Sequence, residues 1–383
     1  MDRARRVDEG RRGAAWAWRG IAGAAAAAAL VGGGVLMAER ETVPLAERQA
    51  EHELRETVLS EVYTVDKIYR SMTGPWGLQQ IRLPSPADNE LVWITGYRAE
   101  MVGTDGERAM PQQFMCHSNL DIDLERHTAT MGESPGFGPR LFTLSQGQLE
   151  IDFPPGYGIP VRANEVLDLT TQVLNLNHVG EPQEVRHKVS VDYVLDTDFG
   201  ASMKPLLPTA AYGLALLEGP DGFFGVESPE AHHGPGCLVE ASASDHAYAD
   251  GLGRTFTGHW QVPPGRQENR TLVTHLMRVP YETTIHYIAV HLHPFAESLV
   301  LRDLTAGTTL FESKARNFED MIGLHHVDAF SSVEGVAVYP DHEYELVSVY
   351  QNDSDEMQDS MAVMYLYLHD QVTAERIAAS RGV

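Results

Sequence analysis

The sequence predicts an all-β chain, two tandem antiparallel β-sandwiches behind an N-terminal transmembrane or signal segment, and three observations carry that expectation. From Leu91-Val92-Trp93-Ile94-Thr95-Gly96-Tyr97 onward, short apolar runs alternate with Gly, Pro, Asn and Asp turns. Their spacing is roughly the 8 to 12 residues of sandwich strands. No convincing helical periodicity interrupts the pattern before 373–379. Polar and glycine-proline content then concentrates over 196–205, between two strand-rich halves of similar length. That seam places a boundary near residue 203. At 383 residues with 43% hydrophobic side chains, the chain has material for two cores.

The elements follow in chain order. Arg3, Arg5, Arg6, Arg11, Arg12 and Arg19 precede an uncharged run over 20–38, closed by Glu39 and Arg40. At about 1.5 Å per residue, a helix of that length just crosses a bilayer core. The basic flank keeps the N-terminus cytoplasmic and sends the remainder to the extracytoplasmic side, periplasmic or extracellular. Leu36-Met37-Ala38 is a poor small-x-small cleavage site, which favours an uncleaved anchor. The run is mostly Ala and Gly, so a cleaved signal peptide is the alternative. Beyond it, Leu45, Leu54, Val58, Leu59 and Val62 are spaced like one helical face, and the stretch from Val43 to Met72 reads as a stalk or docking helix. The expected division is therefore a basic segment 1–19, an anchor 20–38, a stalk 39–80, sandwiches 81–203 and 204–372, and a tail 373–383.

Composition narrows the function. A formal net charge of -25 excludes a nucleic-acid partner, because the phosphate backbone would be repelled. It also argues against docking of the globular part on anionic lipid. The two cysteines, Cys116 and Cys237, are too few for a disulfide scaffold and form no Cys-x-x-Cys pair. One bridge or two separate thiols both fit the sequence. No Ser-His-Asp order, phosphate loop or dinucleotide fingerprint is present.

The candidate chemistry lies in Ile285-His286-Tyr287-Ile288-Ala289-Val290-His291-Leu292-His293-Pro294-Phe295, a β-branched and aromatic run closed by proline. Residues two apart on a strand share a face, so His291 and His293 point the same way from a stiff backbone. Two imidazoles so held open a metal site; two solvated histidines on an edge strand would share the spacing. Downstream comes Asn352-Asp353-Ser354-Asp355-Glu356-Met357. A calcium loop is excluded because its sixth position, which requires glycine, is Gln358. A Met357 thioether beside two imidazoles is instead a soft, neutral set suited to copper.

His291-x-His293, a sheet-rich interval, then Asp353-Ser354-Asp355-Glu356-Met357 and a Met/Tyr strand resemble the second catalytic domain of the copper type II, ascorbate-dependent monooxygenases, the family of peptidylglycine α-hydroxylating and dopamine β-monooxygenases. The first half resembles the same family at Gln146–Gly158, with its Pro154-Pro155-Gly156, and at Leu174-Asn175-Leu176-Asn177-His178. The resemblance implies two jelly-roll sandwiches and an oxygen-binding copper on His291, His293 and Met357. It implies a second, electron-transferring copper on His178 and His117, with Cys116 standing where the family has another histidine. Dioxygen, a small-molecule substrate and ascorbate or a similar reductant would be the partners. Ala289 and Met361 stand where the peptide enzyme has an arginine and a tyrosine that contact substrate, so a peptidylglycine substrate is not expected.

Cys116 opens an alternative. As a thiolate it would hold copper tightly and alter its potential; paired with Cys237 in an oxidising compartment it would be no ligand. Either outcome suits a non-catalytic copper-binding protein that retains only the His-x-His/Met site. A third reading is a cupin-like mononuclear site on His291-x-His293-x-x-x-Glu297, although the glycine expected before the pair and a following Pro-x-Gly-x-x-His are missing. Among other histidines, His286 is expected on the opposite strand face from His291, His187 in a plain strand, and His232-His233 and His325-His326 in loops.

Overall fold

The structure is a computed structural model that describes residues 44–382 apart from 88, 200–201 and 227–246. The basic segment and anchor, and with them Cys237, His232, His233 and His246, lie outside the described residues. Among the described residues no helix is long and apolar enough to cross a membrane.

The fold is two antiparallel jelly-roll sandwiches sharing one long sheet. In spatial order that sheet runs Leu54–Leu59, Gln183–Leu195, Leu91–Val102, Tyr157–Arg162, Lys204–Tyr212, Ala362–His369, Thr283–Leu292 and Phe330–Val338. The halves join where Lys204 and Pro205 pair in parallel with Tyr157 and Gly158. A four-stranded sheet, Trp76–Ile81, Leu167–Val173, Met115–Ile122 and Arg140–Leu144, covers the first half of the long sheet. Five strands from Gly265–Leu272 to Leu324–Val327 cover the second. Each pair of layers encloses its own core, one built around Ile94, Tyr97, Phe142 and Leu169, the other around Ile288, Leu299, Leu346 and Leu366.

Alternation explains why these segments are strands. In Gln183–Leu195 the residues Val185, His187, Val189 and Val191 turn inward while the residues between them stay partly exposed. The strand Thr283–Leu292 is buried on both faces because it stands between the two cores. Tyr287 and Ala289 belong to the first core, and Ile288, Val290 and Leu292 to the second. By that parity His291 and His293 turn toward the first half.

Two expectations are corrected. Among the described residues the stalk does not form: helix is confined to Leu45–His52, and Leu54–Leu59, Tyr63–Val65 and Trp76–Ile81 pair into the first sandwich. Thr57, Val58, Val62, Tyr63, Thr64 and Val65 are β-formers, and pairing with Gln183–Leu195 overrides the helical spacing. The helical periodicity read at 373–379 is a helix in the structure. Gln371–Arg381 is a helix capped by Asp370, whose carboxylate accepts from the Thr373 N–H at 3.0 Å. It buries Ile377 against Leu91, Trp93 and Phe199, and Arg376 donates to the Met131 carbonyl at 2.9 Å. Finally, His325 and His326 sit on the strand Leu324–Val327 rather than in a loop.

Candidate metal centre

The His-x-His strand ends in a turn that fixes its second histidine. Pro294 follows His293, and Phe295 takes a left-handed conformation, φ 70°, the third position of a turn where glycine is usual. Its N–H donates to Asn317 Oδ1 at 2.7 Å and its carbonyl accepts from the Gln351 N–H at 2.8 Å, which holds the unfavourable backbone in place. On the far side the bend 353–357 is organised by the buried Asn352. Its amide donates to the carbonyls of Val262 at 3.0 Å and Glu356 at 2.7 Å, and its oxygen accepts from the Ser354 N–H at 3.0 Å. Gln358 donates to Ser354 Oγ at 2.9 Å. These bonds present Met357 just before the short strand Gln358–Ser360.

His291, His293 and Met357 all line one cavity of about 310 Å³ between the halves. Cys116, Ser145 and Gln146 of the first half line it too, with Arg70, Glu356 and Asp359 as its charged groups. His291 Nδ1 is hydrogen-bonded to Ser145 Oγ at 2.9 Å, which fixes the ring and leaves Nε2 as the nitrogen available to a metal. The His291 and His293 rings cross at 85° with centroids 5.3 Å apart. Burial drives both below the ordinary histidine range, assisted for His291 by the neighbouring His293, His117, His259 and Arg140. His293 is lowered to about 4 by burial, with Asp359 acting in the opposite sense. Both are therefore neutral at pH 7, the form that donates a lone pair.

Two residues that the sequence did not single out join this group. His259 precedes the strand Trp260–Val262, and Asp359 lies in its partner Gln358–Ser360, opposite Gln261. His259 Nε2 stands 2.7 Å from Asp359 Oδ1, and His293 Nδ1 stands 3.8 Å from Asp359 Oδ2. The donor atoms of all three lie within 4.8 Å of one another.

The first-half set comes together less well. Cys116 is the extra residue of a β-bulge: Met115 pairs with Val173 and His117 with Gln172, leaving Cys116 out of register. The bulge lets Cys116 reach the cavity. Its thiol is pushed up to about 11 by burial, against opposing hydrogen bonds from the Met72 backbone and the Ser71 side chain, and so is protonated at neutral pH. His117 is lowered to about 4 by burial, then by Arg140 and His293, and its Nδ1 is buried without a protein partner. His178 turns its Nε2 to the Glu181 carbonyl of its own loop at 2.8 Å. Among the described residues Cys116, His117 and His178 form no group of donors within metal-ligand reach of one another. Their arrangement does not fit a preassembled copper site. The Cys116–Cys237 pairing cannot be followed, since Cys237 lies outside the described residues.

The cupin reading loses its third ligand. Glu297 faces outward and pairs with Arg266 at 3.6 Å. His286 is buried but engaged: Nδ1 donates to the Ser332 carbonyl at 2.9 Å, Nε2 contacts Thr284 Oγ1 at 2.7 Å, and the ring stacks on Tyr157.

No family model matches the chain, and no curated protein matches it. Among solved structures it is similar to the STIV MCP, at 9% identity and a TM-score of 0.30 over 84% of this chain and 98% of that one. It is also similar to PNGase F, a glycosylasparaginase from Flavobacterium meningosepticum, at 9% identity and a TM-score of 0.32 over 83% of this chain and 97% of that one. At these values the likenesses carry no functional argument.

Proposed function

We propose that the chain is a membrane-anchored, extracytoplasmic copper-dependent monooxygenase that hydroxylates a C–H bond of a small molecule. One observation carries this reading: two imidazoles from one strand end and a thioether far downstream in the sequence open together on a single cavity between the sandwiches. The donor set fits copper, since neutral nitrogen and thioether sulfur suit its lower oxidation state. Copper bound there would supply dioxygen activation and one-electron chemistry. The overall reaction places one oxygen atom in the C–H bond and releases the other as water, with two electrons and two protons drawn from ascorbate or a similar reductant.

The chain's own residues serve the rest. Ser145 orients His291, Asn352 holds the bend that carries Met357, and the Phe295 turn fixes His293. A cavity of about 310 Å³ is at the small end of ligand sites. Arg70 on its wall would orient an anionic or strongly polar group, beside the apolar Ile68, Leu174 and Ile322.

A second reading, a copper-binding protein without turnover, is favoured by the protonated Cys116 thiol and by the engagement of His178 with Glu181. Copper stoichiometry of the reduced, desalted chain separates the two, with X-ray absorption identifying the ligands. Two coppers together with ascorbate-driven oxygen uptake support the enzyme; one copper on imidazole and thioether without oxygen uptake supports the binding protein. Unchanged copper content in both Met357→Ile and His291→Ala would sink either reading.

A further inference from the structure

We propose that His259, His293 and Asp359 form a binding site for a divalent first-row transition ion, with two imidazole nitrogens and one carboxylate as ligands. This goes beyond the copper reading and shares only His293 with it. The first argument is directional. Asp359 Oδ1 lies 2.7 Å from His259 Nε2, close enough for a strong hydrogen bond, yet this buried nitrogen has no hydrogen-bond partner. The oxygen therefore lies off the axis along which an N–H would donate. An ordinary histidine–aspartate pair would align that axis; two ligands converging on a common point would not.

The second argument is spacing. Ligands about 2.0–2.2 Å from a metal ion stand about 3–3.5 Å apart in tetrahedral or octahedral geometry. The contacts of 2.7 and 3.8 Å made by the carboxylate bracket that range, and all three donors fall within 4.8 Å. The third argument is access. His293 and Asp359 line the cavity, so an ion held here would keep open positions facing it. The rings of His259 and His293 cross at 79° with centroids 5.6 Å apart, which lets their nitrogens approach from different directions. Two imidazoles and one carboxylate with open positions are the ligands of catalytic zinc and of non-haem ferrous iron, harder than the His291/Met357 pair.

The test uses the full chain, metal-free, titrated with Co(II) as a visible-absorbing probe and with Zn(II) in competition. One Co(II) per chain is expected. Asp359→Asn and His259→Gln should each weaken it at least ten-fold, while Met357→Leu leaves it unchanged. Co(II) binding equal to the unsubstituted chain in either correctly folded variant, Asp359→Asn or His259→Gln, would overturn the proposal. A loss in Met357→Leu as large as in Asp359→Asn would overturn it as well, by assigning the ion to the thioether set. Thermal unfolding of each variant in chelator confirms that the fold is retained, and the two substitutions lie on different segments, so misfolding of one leaves the other decisive. Cu(I) affinity, read with a chromogenic competitor in Met357→Leu and His291→Ala, reports on the copper reading separately.

Discussion

Replacing His187 by leucine should stabilise the protein, and more at pH 5 than at pH 7. The ring lies in the first core at 0% exposure, on the inward row with Val185, Val189 and Val191, and neither nitrogen has a protein partner. An unmet buried polar group costs about 1–3 kcal/mol, and leucine has a similar volume without it. Burial, then the neighbouring His117, lowers the ring to about 3, against an unfolded value of about 6.5. Above pH 6.5 both states are neutral and the titration costs nothing. As pH falls from 6.5 toward 3 the unfolded chain takes up a proton that the folded chain refuses, so stability is lost across that window. At pH 5 the loss is about 2 kcal/mol, from 1.5 pH units at about 1.36 kcal/mol each. His187→Leu should therefore gain about 1–3 kcal/mol at pH 7 and about 2 kcal/mol more at pH 5. Urea unfolding of both proteins at the two pH values, in chelator, reads the difference. A variant equally or less stable at both would refute the reasoning, because it would mean the ring nitrogens are satisfied inside the core.

Three further outcomes are expected. Asn352→Ala removes donors to the Val262 and Glu356 carbonyls; it should cost about 2–4 kcal/mol in denaturant unfolding and, by loosening the Met357 bend, weaken Cu(I) about ten-fold. In a Cys237→Ser background, Cys116 should react with an alkylating reagent at pH 8 at least about 100-fold more slowly than a free thiol, since a thiol near 11 is almost wholly protonated there; rapid alkylation would show that it ionises. Ile377→Ala should cost about 2–4 kcal/mol, seen as a lower thermal midpoint, because the C-terminal helix packs on Trp93 and Phe199; an unchanged midpoint would mean that the helix adds nothing to the first sandwich.

What was legible in the sequence was legible for local reasons. The parity of His291 and His293 follows from the two-residue period of a strand, and the turn after them from Pro294. His259 was not legible, since the pairing of Gln261 with Asp359 joins segments about a hundred residues apart and leaves no local trace. Asp359 did carry a signal. It lies two residues beyond Met357 and so shares its face once that stretch is extended. The helix Leu124–Met131 has its start signal in Asp123 and its stop signal in Gly132, but two turns are too short to establish a period. The helical spacing of apolar residues over 45–62 does not make a stalk because the β-branched residues among and beside them pair with Gln183–Leu195. His178 took its assignment from resemblance alone, and its loop supplies the nearer partner.

The distribution of the donors gives the junction a division of roles. His259, His291, His293, Met357 and Asp359 all belong to the second half, on its strand ends and bends, so the proposed ligands all come from that half. The first half contributes what surrounds them. Ser145 orients His291, and Cys116 and Gln146 form part of the cavity wall. The halves are held in register by buried polar bonds rather than by packing alone: Gln148 accepts from the Val290 N–H at 2.7 Å, Gln146 from the Leu324 N–H at 3.1 Å, and Tyr367 donates to the Leu141 carbonyl at 2.9 Å. Such bonds fix direction as well as distance, and each leaves a buried group unmet if the halves shift. The metal centre proposed between the two sandwiches would need that precision, because a displacement of the first half would move the Ser145 hydroxyl off His291. Gln146 and Gln148, on either side of Gly147, are in physical terms a clamp between the two halves.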